Sequence, residues 1–385
     1  MTFCDLSPFY CDTGGGIRTY HRAKIDWFRR QDRHRYVLVV PGRRREVTDL
    51  TPHVAIVRVY GVPVAHDRDG YRVPIDFGHI WSVVRRADPD VLEVDDPWIS
   101  GPLGLLLRRF KVLRGRLASF YHSDPIATYV EPRLGGAGAR GPRRLLLRGA
   151  DRVFYRVQAA YDLTMVTSVT MERRLRAHGV TRIVKVPFGV DQELFDIARP
   201  AGRPRDPIRL LYAGRLHNDK DVRVLLDVLP SVLARPDVEV TVAGTGPYRD
   251  RFAAWSHPRF TYLGFIRDEE AMREIYAAND VLLAPGRFET FGLAALEAAA
   301  AGLIVVGPDE GGTGELLEEM QSPFIFKAGD AASFLAATGR AIDSDRDRMA
   351  GQSRALARTY GTWSDAITRQ VQACETLAEH AGAPS

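Results

Sequence analysis

From residue 281 to residue 307 the chain reads, without a break, as buried strand, tight loop, helix and buried strand. Val281-Leu-Leu-Ala284 is an apolar run of strand length, and Pro285 and Gly286 end it. An Ala/Leu/Glu-rich run over 293–301 has high helix propensity. Gly302 supplies its C-terminal cap, and 303–306 is apolar again. Strands without an alternating polar face belong in parallel sheets covered by helices. The same alternation fills the chain. Strands are predicted at 3–6, 36–41, 54–59, 91–94, 117–121, 162–168 and 183–187. Helices are predicted from about Tyr20 (Ile25, Trp27 and Phe28 following) and at 77–86, 98–110, 143–160 and 170–178. Beyond residue 207 strands at 208–213, 238–243 and 260–263 interleave with helices at 222–233, 248–255 and 269–278. After the 281–307 unit come helices at 315–319, 330–343, 345–359 and 363–380.

This pattern predicts an α/β protein of two doubly wound, Rossmann-like domains, with ligands at the carboxyl ends of the strands in the cleft between them. A chain of 385 residues is too long for one core. The proline- and arginine-rich segment 199–207 is the predicted linker between a domain over 1–198 and another over 208–362. The closing helix, about 363–385, is expected to pack back on the first domain.

Three scattered cysteines, Cys4, Cys11 and Cys374, suggest a reducing compartment rather than a disulfide framework. No stretch approaches the ~20 apolar residues of a membrane span, and the N-terminus lacks a signal-peptide pattern, so a cytoplasmic location is expected. Residues 1–200 carry 33 Lys and Arg against 22 Asp and Glu, and the remainder 20 against 26. A basic first half argues for an anionic partner there. No nucleic-acid-binding motif accompanies the arginines, so nucleic acid is not expected. No Cys-x-x-Cys or His-x-x-x-His set points to a metal.

Several strand-end loops carry chemistry. Glu289 sits in the loop before the 293–301 helix, and Glu297 lies inside it, with seven residues between the two. The N–H groups of Thr290, Phe291, Gly292 and Leu293 open that helix, where the dipole favours an anion. A carboxylate there can accept sugar hydroxyls, and one further in can reach a ribose. Ordinary surface glutamates are the alternative. In Tyr212-Ala-Gly-Arg-Leu-His-Asn-Asp-Lys220, Gly214, Arg215 and Lys220 follow a strand directly. Two cations there can neutralise a diphosphate, or they can be solvated charges at a helix start. Gly14-Gly-Gly16 opens the first helix, and Gly15 and Gly16 permit close approach of a phosphate or sugar, or simply a turn. His122 ends a strand, where it is a site residue or a structural one.

Glu-x-Phe-Gly with a second glutamate after seven residues resembles the donor signature of retaining glycosyltransferases of the GT-B architecture, most closely glycosyltransferase family 4. The Gly214-Arg215…Lys220 spacing is similar to that family's Gly-Arg…Lys motif. Gly244-Thr-Gly246 resembles the Gly-x-Gly near the nucleotide base, and Gly311-Gly-Thr-Gly-Glu315 the segment after the donor helix. Val186-Pro-Phe-Gly-Val-Asp191…Phe195 resembles the hinge motif, with Phe188 replacing the usual Asn. The resemblance covers most of the chain and is stronger in the second half.

It implies a hexosyltransferase that moves sugar from GDP-mannose or a UDP-sugar to an acceptor hydroxyl of a lipid or polysaccharide precursor. Arg215 and Lys220 would hold the leaving diphosphate, Glu289 the sugar hydroxyls and Glu297 the ribose, with Gly15 and Gly16 on the donor. His122 would contact the transferred sugar. No metal and no cofactor beyond the nucleotide sugar is implied, the protein cations standing in for Mg²⁺. Glu93-Val-Asp-Asp96 looks like the Asp-x-Asp metal motif of another glycosyltransferase architecture, but lies in the wrong domain. A nucleotide-sugar epimerase and a non-catalytic GT-B subunit are the alternatives.

One further stretch mixes charge with apolar side chains. Within 98–116, Leu103, Leu105, Leu106, Leu107 and Phe110 stand beside Arg108, Arg109, Lys111, Arg114 and Arg116, and Arg143-Arg-Leu-Leu-Leu-Arg148 repeats the mixture. Such a surface suits anionic lipid at the inner membrane face. Equally, the leucines pack inward and the arginines are solvated.

Overall fold

The computed structural model describes residues 1–11, 15–63, 71–121, 141–197 and 207–379. They form two compact units, one of Met1–Val186 with the stretch from Ser364, the other of Pro187–Trp363.

In the first unit the strands are β1 (Thr2–Leu6), β2 (Arg35–Gly42), β3 (Glu46–Thr51), β4 (Val54–Pro63), β5 (Arg72–Pro74), β6 (Val91–Val94), β7 (Arg116–Phe120), β8 (Leu163–Val166) and β9 (Ile183–Lys185). The helices are α1 (Gly16–Arg29), α2 (Phe77–Ala87), α3 (Ser100–Arg109), α4 (Pro142–Ala159) and α5 (Val169–Ala177). The sheet order is β3-β4-β2-β1-β6-β7-β8-β9. Its parallel part reverses direction between β1 and β6, which is the switch point of a doubly wound sheet. β3 adds antiparallel to β4, and β5 pairs antiparallel with the end of β4. Neither strand was predicted, because both are short and lack apolar character. Cys4, Val37, Val39, Leu92, Val94 and Leu117 form the strand side of a core closed by Val83, Val84, Leu103 and Leu107 from α2 and α3.

The second unit contains α6 (Gln192–Phe195), α7 (Val222–Leu233), α8 (Arg249–Ala253), α9 (Glu269–Ala278), α10 (Leu293–Ala300), α11 (Gly311–Glu319), α12 (Ala331–Ile342) and α13 (Arg346–Tyr360). Its strands are β10 (Ile208–Ala213), β11 (Val238–Ala243), β12 (Phe260–Gly264), β13 (Val281–Leu283), β14 (Ile304–Pro308) and β15 (Ile325–Phe326). They are ordered β12-β11-β10-β13-β14-β15, with every pairing parallel. In local numbering this is 3-2-1-4-5-6, the dinucleotide-fold order. The helix starts follow from local chemistry. Glu270, Ser333 and Arg348 each donate a backbone N–H to a capping aspartate, Asp268, Asp330 and Asp345 in turn.

The units divide at Val186/Pro187, earlier than the polar segment 199–207, nearly all of which lies outside the described residues. Packing explains the earlier division. The Phe188 ring lies 5.2 Å from Phe291 and 5.0 Å from Trp363, and Trp363 N donates to Val190 O at 3.1 Å. An apolar contact thus occupies the place where the family motif has Asn. Helix α14 (Trp363–Glu379) belongs to the first unit from Ser364 onward. There Trp27 Nε1 donates to Thr368 Oγ1 at 2.9 Å.

Candidate active site

The second unit gathers its polar residues at the carboxyl ends of β10 and β13. After β10, Gly214 N donates to Ala243 O at 3.0 Å and Leu216 N to Thr245 O at 2.8 Å. The loops after β10 and β11 are thereby joined, and Gly214 meets Gly244 and Leu216 meets Gly246. Gly244 has φ +148°, and a Cβ there would collide with the Gly214 carbonyl.

Arg215 is steered from two sides. The Tyr212 hydroxyl donates to its carbonyl at 2.8 Å, and its guanidinium bonds Asp219 Oδ2 at 2.6 Å. Asp219 also pairs with His217 Nδ1 at 2.5 Å. Burial pushes the Asp219 carboxyl up, but the His217 hydrogen bond and the charges of Arg215 and Lys220 prevail and hold it down at about 2. Lys220 Nζ reaches Glu289 Oε1 at 2.5 Å, joining the loop after β10 to the loop after β13. A second clamp lies behind that pair. Arg287 gives Asp221 its backbone N–H at 3.1 Å, Nε at 2.9 Å and Nη2 at 3.0 Å.

Thr290 and Phe291 are buried, and Gly292 caps α10 in the left-handed region at φ +84°, where a side chain would also crowd Thr313. Leu293 is the first residue of α10. No side chain caps the start of this helix, so its dipole faces the loop uncovered. A pocket lies there, lined among others by Gly214, Lys220, Gly286, Glu289, Gly292 and Thr313. Arg215, Gly244, Gly246 and Glu297 do not line it. Glu297 stands further along α10, half-buried, accepting a hydrogen bond from the Tyr276 hydroxyl at 2.9 Å. Burial raises its carboxyl to about 7, against the Tyr276 hydrogen bond and with help from the charges of Asp191 and Glu269.

In the first unit Gly15 caps α1 and Gly16 begins it, both exposed. His122 lies outside the described residues. Glu93 and Asp95 do not form an open acidic pair. Both are buried at the switch point and bonded to α1. Lys24 Nζ bonds Asp5 Oδ2 at 2.7 Å and Glu93 Oε2 at 2.9 Å, Tyr20 OH donates to Glu93 Oε1 at 2.6 Å, and His21 Nε2 meets Asp95 Oδ2 at 2.7 Å. Gln370 of α14 donates to Glu93 Oε2 at 2.6 Å. Burial favours neutral Asp5 and neutral His21, whereas the Lys24 charge overcomes burial at Glu93 and keeps it ionised. Asp96 is taken up by the backbone N–H groups of Trp98, Ile99 and Ser100.

Residues 14–194 match the family described as Glycosyltransferase Family 4, and residues 207–344 match Glycosyl transferases group 1. A GDP-mannose-dependent alpha-(1-6)-phosphatidylinositol dimannoside mannosyltransferase from Mycobacterium tuberculosis is 32% identical over 315 residues, 78% of each chain. The chain belongs to glycosyltransferase family 4. A GDP-mannose-dependent alpha-mannosyltransferase from Corynebacterium glutamicum is 25% identical over 74% of this chain and 67% of its own. Sucrose-phosphate synthase from Thermosynechococcus elongatus shares the fold, with a TM-score of 0.74 over 98% of both chains at 20% identity. The architecture is therefore GT-B, and the protein is a glycosyltransferase.

In this family 4 enzyme the sequence reading passed over Tyr276, Asp219, Asp221 and Arg287. Asp219 lies inside the 212–220 motif and Arg287 inside the 281–307 unit, but nothing in their spacing marks Asp219 as the partner of Arg215 or Arg287 as that of Asp221. The buried cluster did leave a trace, since Asp5 and Glu93 interrupt otherwise apolar strands. The mixed basic and apolar stretches divide residue by residue. Leu103, Leu107 and Leu147 are buried, whereas Phe110, Leu145 and Leu146 are 63%, 74% and 61% exposed. Among the described residues no helix is long and apolar enough to cross a membrane.

Proposed function

We propose that this glycosyltransferase is a retaining, metal-independent mannosyltransferase that takes its sugar from GDP-mannose and delivers it to a hydroxyl of a lipid or lipid-linked glycan. The observation that carries the reading is the Lys220–Glu289 pair beside Arg215 at the strand ends, bordering a pocket and an uncapped helix start. Lys220 and Arg215 are set to draw charge onto the departing diphosphate as the anomeric C–O bond breaks. Glu289 accepts hydroxyls of the transferred sugar, and Glu297 those of the ribose. The acceptor oxygen bonds to the same face of the anomeric carbon, and its proton passes to the departing phosphate oxygen, so retention needs no separate base. With two protein cations at the diphosphate, the reaction needs no divalent metal.

Both mannosyltransferase relatives are GDP-mannose-dependent, which supports GDP-mannose as the donor here. The acceptor's lipid character is supported by the exposed Leu145 and Leu146 beside Arg143 and Arg148 on α4, a composition that suits an anionic bilayer surface at the inner membrane face. A thermal-shift panel of GDP, UDP and ADP tests the donor. Saturating GDP should raise the melting temperature, because a ligand at 100 times its Kd adds about 2.7 kcal/mol. Selective stabilisation by UDP would overturn the GDP-mannose assignment, and no stabilisation by any of the three would overturn the donor site.

A further inference from the structure

Glu297 cannot present both its oxygens freely. Oε2 accepts the Tyr276 hydroxyl at 2.9 Å, while among the described residues Oε1 makes no hydrogen bond. Tyr276 is itself buried, on the last turn of α9, and its hydroxyl reaches α10. The rest of the surroundings oppose a carboxylate there. Asp191 before α6 and Glu269 on α9 add negative charge, and on α13, which packs against α10, Arg354 is engaged with the Ala301 carbonyl at 3.0 Å. Tyr276 is thus the neighbour that both stabilises the ionised form and fixes the carboxyl plane.

We propose that Tyr276 is the positioning residue of the donor's ribose site, holding Oε2 of Glu297 so that Oε1 is presented to the 2′,3′-diol; this rests on the assignment of Glu297 to the ribose. A carboxylate free to rotate would have to be ordered at each binding event. One pinned by a buried phenol is ordered beforehand, so the diol meets an acceptor already aimed.

The experiment is calorimetric titration of the full-length enzyme with the nucleoside diphosphate selected by the thermal panel, GDP on the reading above, and with its 2′,3′-dideoxy counterpart. The wild type should prefer the ribose form by about 10-fold or more, as hydrogen bonds to a charged group do. Tyr276→Phe, which keeps the ring and its packing, should cut that preference by about 5-fold while leaving the dideoxy affinity unchanged. KM for the nucleotide sugar should rise with kcat nearly constant. Since the phenol favours the ionised carboxyl, Tyr276→Phe should also move the pH midpoint of binding upward. Equal weakening of both ligands, or an unaltered preference, overturns the proposal. Glu297→Gln separates the two layers. If it abolishes the preference and Tyr276→Phe does not, only the role of Tyr276 falls. If Glu297→Gln retains the preference, the ribose assignment of Glu297 fails and the role of Tyr276 with it.

Discussion

Replacing Lys220 by alanine should separate catalysis from stability in this enzyme. The Lys220 and Glu289 side chains are 20% and 28% accessible, so solvent screens their 2.5 Å ion pair. A solvent-screened, partly exposed pair of this kind contributes about 1 kcal/mol. Lys220→Ala should therefore melt within about 2–4 °C of the wild type. The kinetic effect should be much larger. On the proposed assignment, Lys220 shares with Arg215 a diphosphate whose negative charge grows only as the glycosidic bond breaks. Loss of one such preorganised donor costs about 10²–10³ in kcat, roughly 2.7–4 kcal/mol. The assay is release of nucleoside diphosphate from the nucleotide sugar, run beside a thermal melt of the same preparation. Glu289→Ala should lose a similar factor. EDTA should leave the wild-type rate unchanged if, as proposed, Arg215 and Lys220 carry the charge a metal would bring. Turnover of Lys220→Ala within a few-fold of wild type would refute the assignment, as would an EDTA-abolished rate restored by Mg²⁺ or Mn²⁺.

Lys24→Met removes the cation between Asp5 and Glu93 and should cost about 3–5 kcal/mol, since both carboxyls stay buried. Burial raises the folded-state pKa of Asp5 above its unfolded value, so its ionisation penalises the fold above about pH 4 and not below. The loss in Lys24→Met, read by urea unfolding under near-UV circular dichroism, should accordingly be larger at pH 8 than at pH 5. A loss independent of pH would mean that Lys24 does not serve as the counter-charge. Sedimentation with phosphatidylglycerol vesicles should carry the wild type down at low salt, less at high salt, and less again for Leu145→Ser/Leu146→Ser. No binding at low salt would favour a soluble acceptor.

Most elements were legible because their causes are local. The apolar runs of β6, β10 and β11, and the periodic stretches of α7 and α9, fall at the predicted residues. A strand buried on both faces or a helix behind a capping aspartate needs no distant partner to be recognised. The strands β3, β5 and β15 were not foreseen, because such short additions gain their order from the strand they join rather than from their own composition. The division between the two units falls ahead of the 199–207 segment for a related reason. Proline, glycine and arginine mark a flexible connection, but ring contacts of Phe188 decided which side the preceding residues joined.

The donor signature shows the same division. Glu289, Glu297, Arg215 and Lys220 are visible as spacings, since each sits at a fixed offset from a strand end that the hydrophobic pattern locates. What each touches is set by packing. Lys220 meets Glu289 only because β10 and β13 are neighbours, and Arg287 secures the two loops through Asp221. Tyr276 becomes a partner of Glu297 only when α9 lies beside α10. In the first unit, strand order brings Asp5 level with Glu93, and α1 and α14 then supply Lys24 and Gln370. The sequence by itself determined the alternation of strand and helix, the family and the candidate donor residues, because these follow from local pattern and composition. Which carboxylate is pinned, which is neutralised and which stays open was decided by the tertiary structure, because the electrostatics of a buried group depends on the neighbours brought to it from distant parts of the chain.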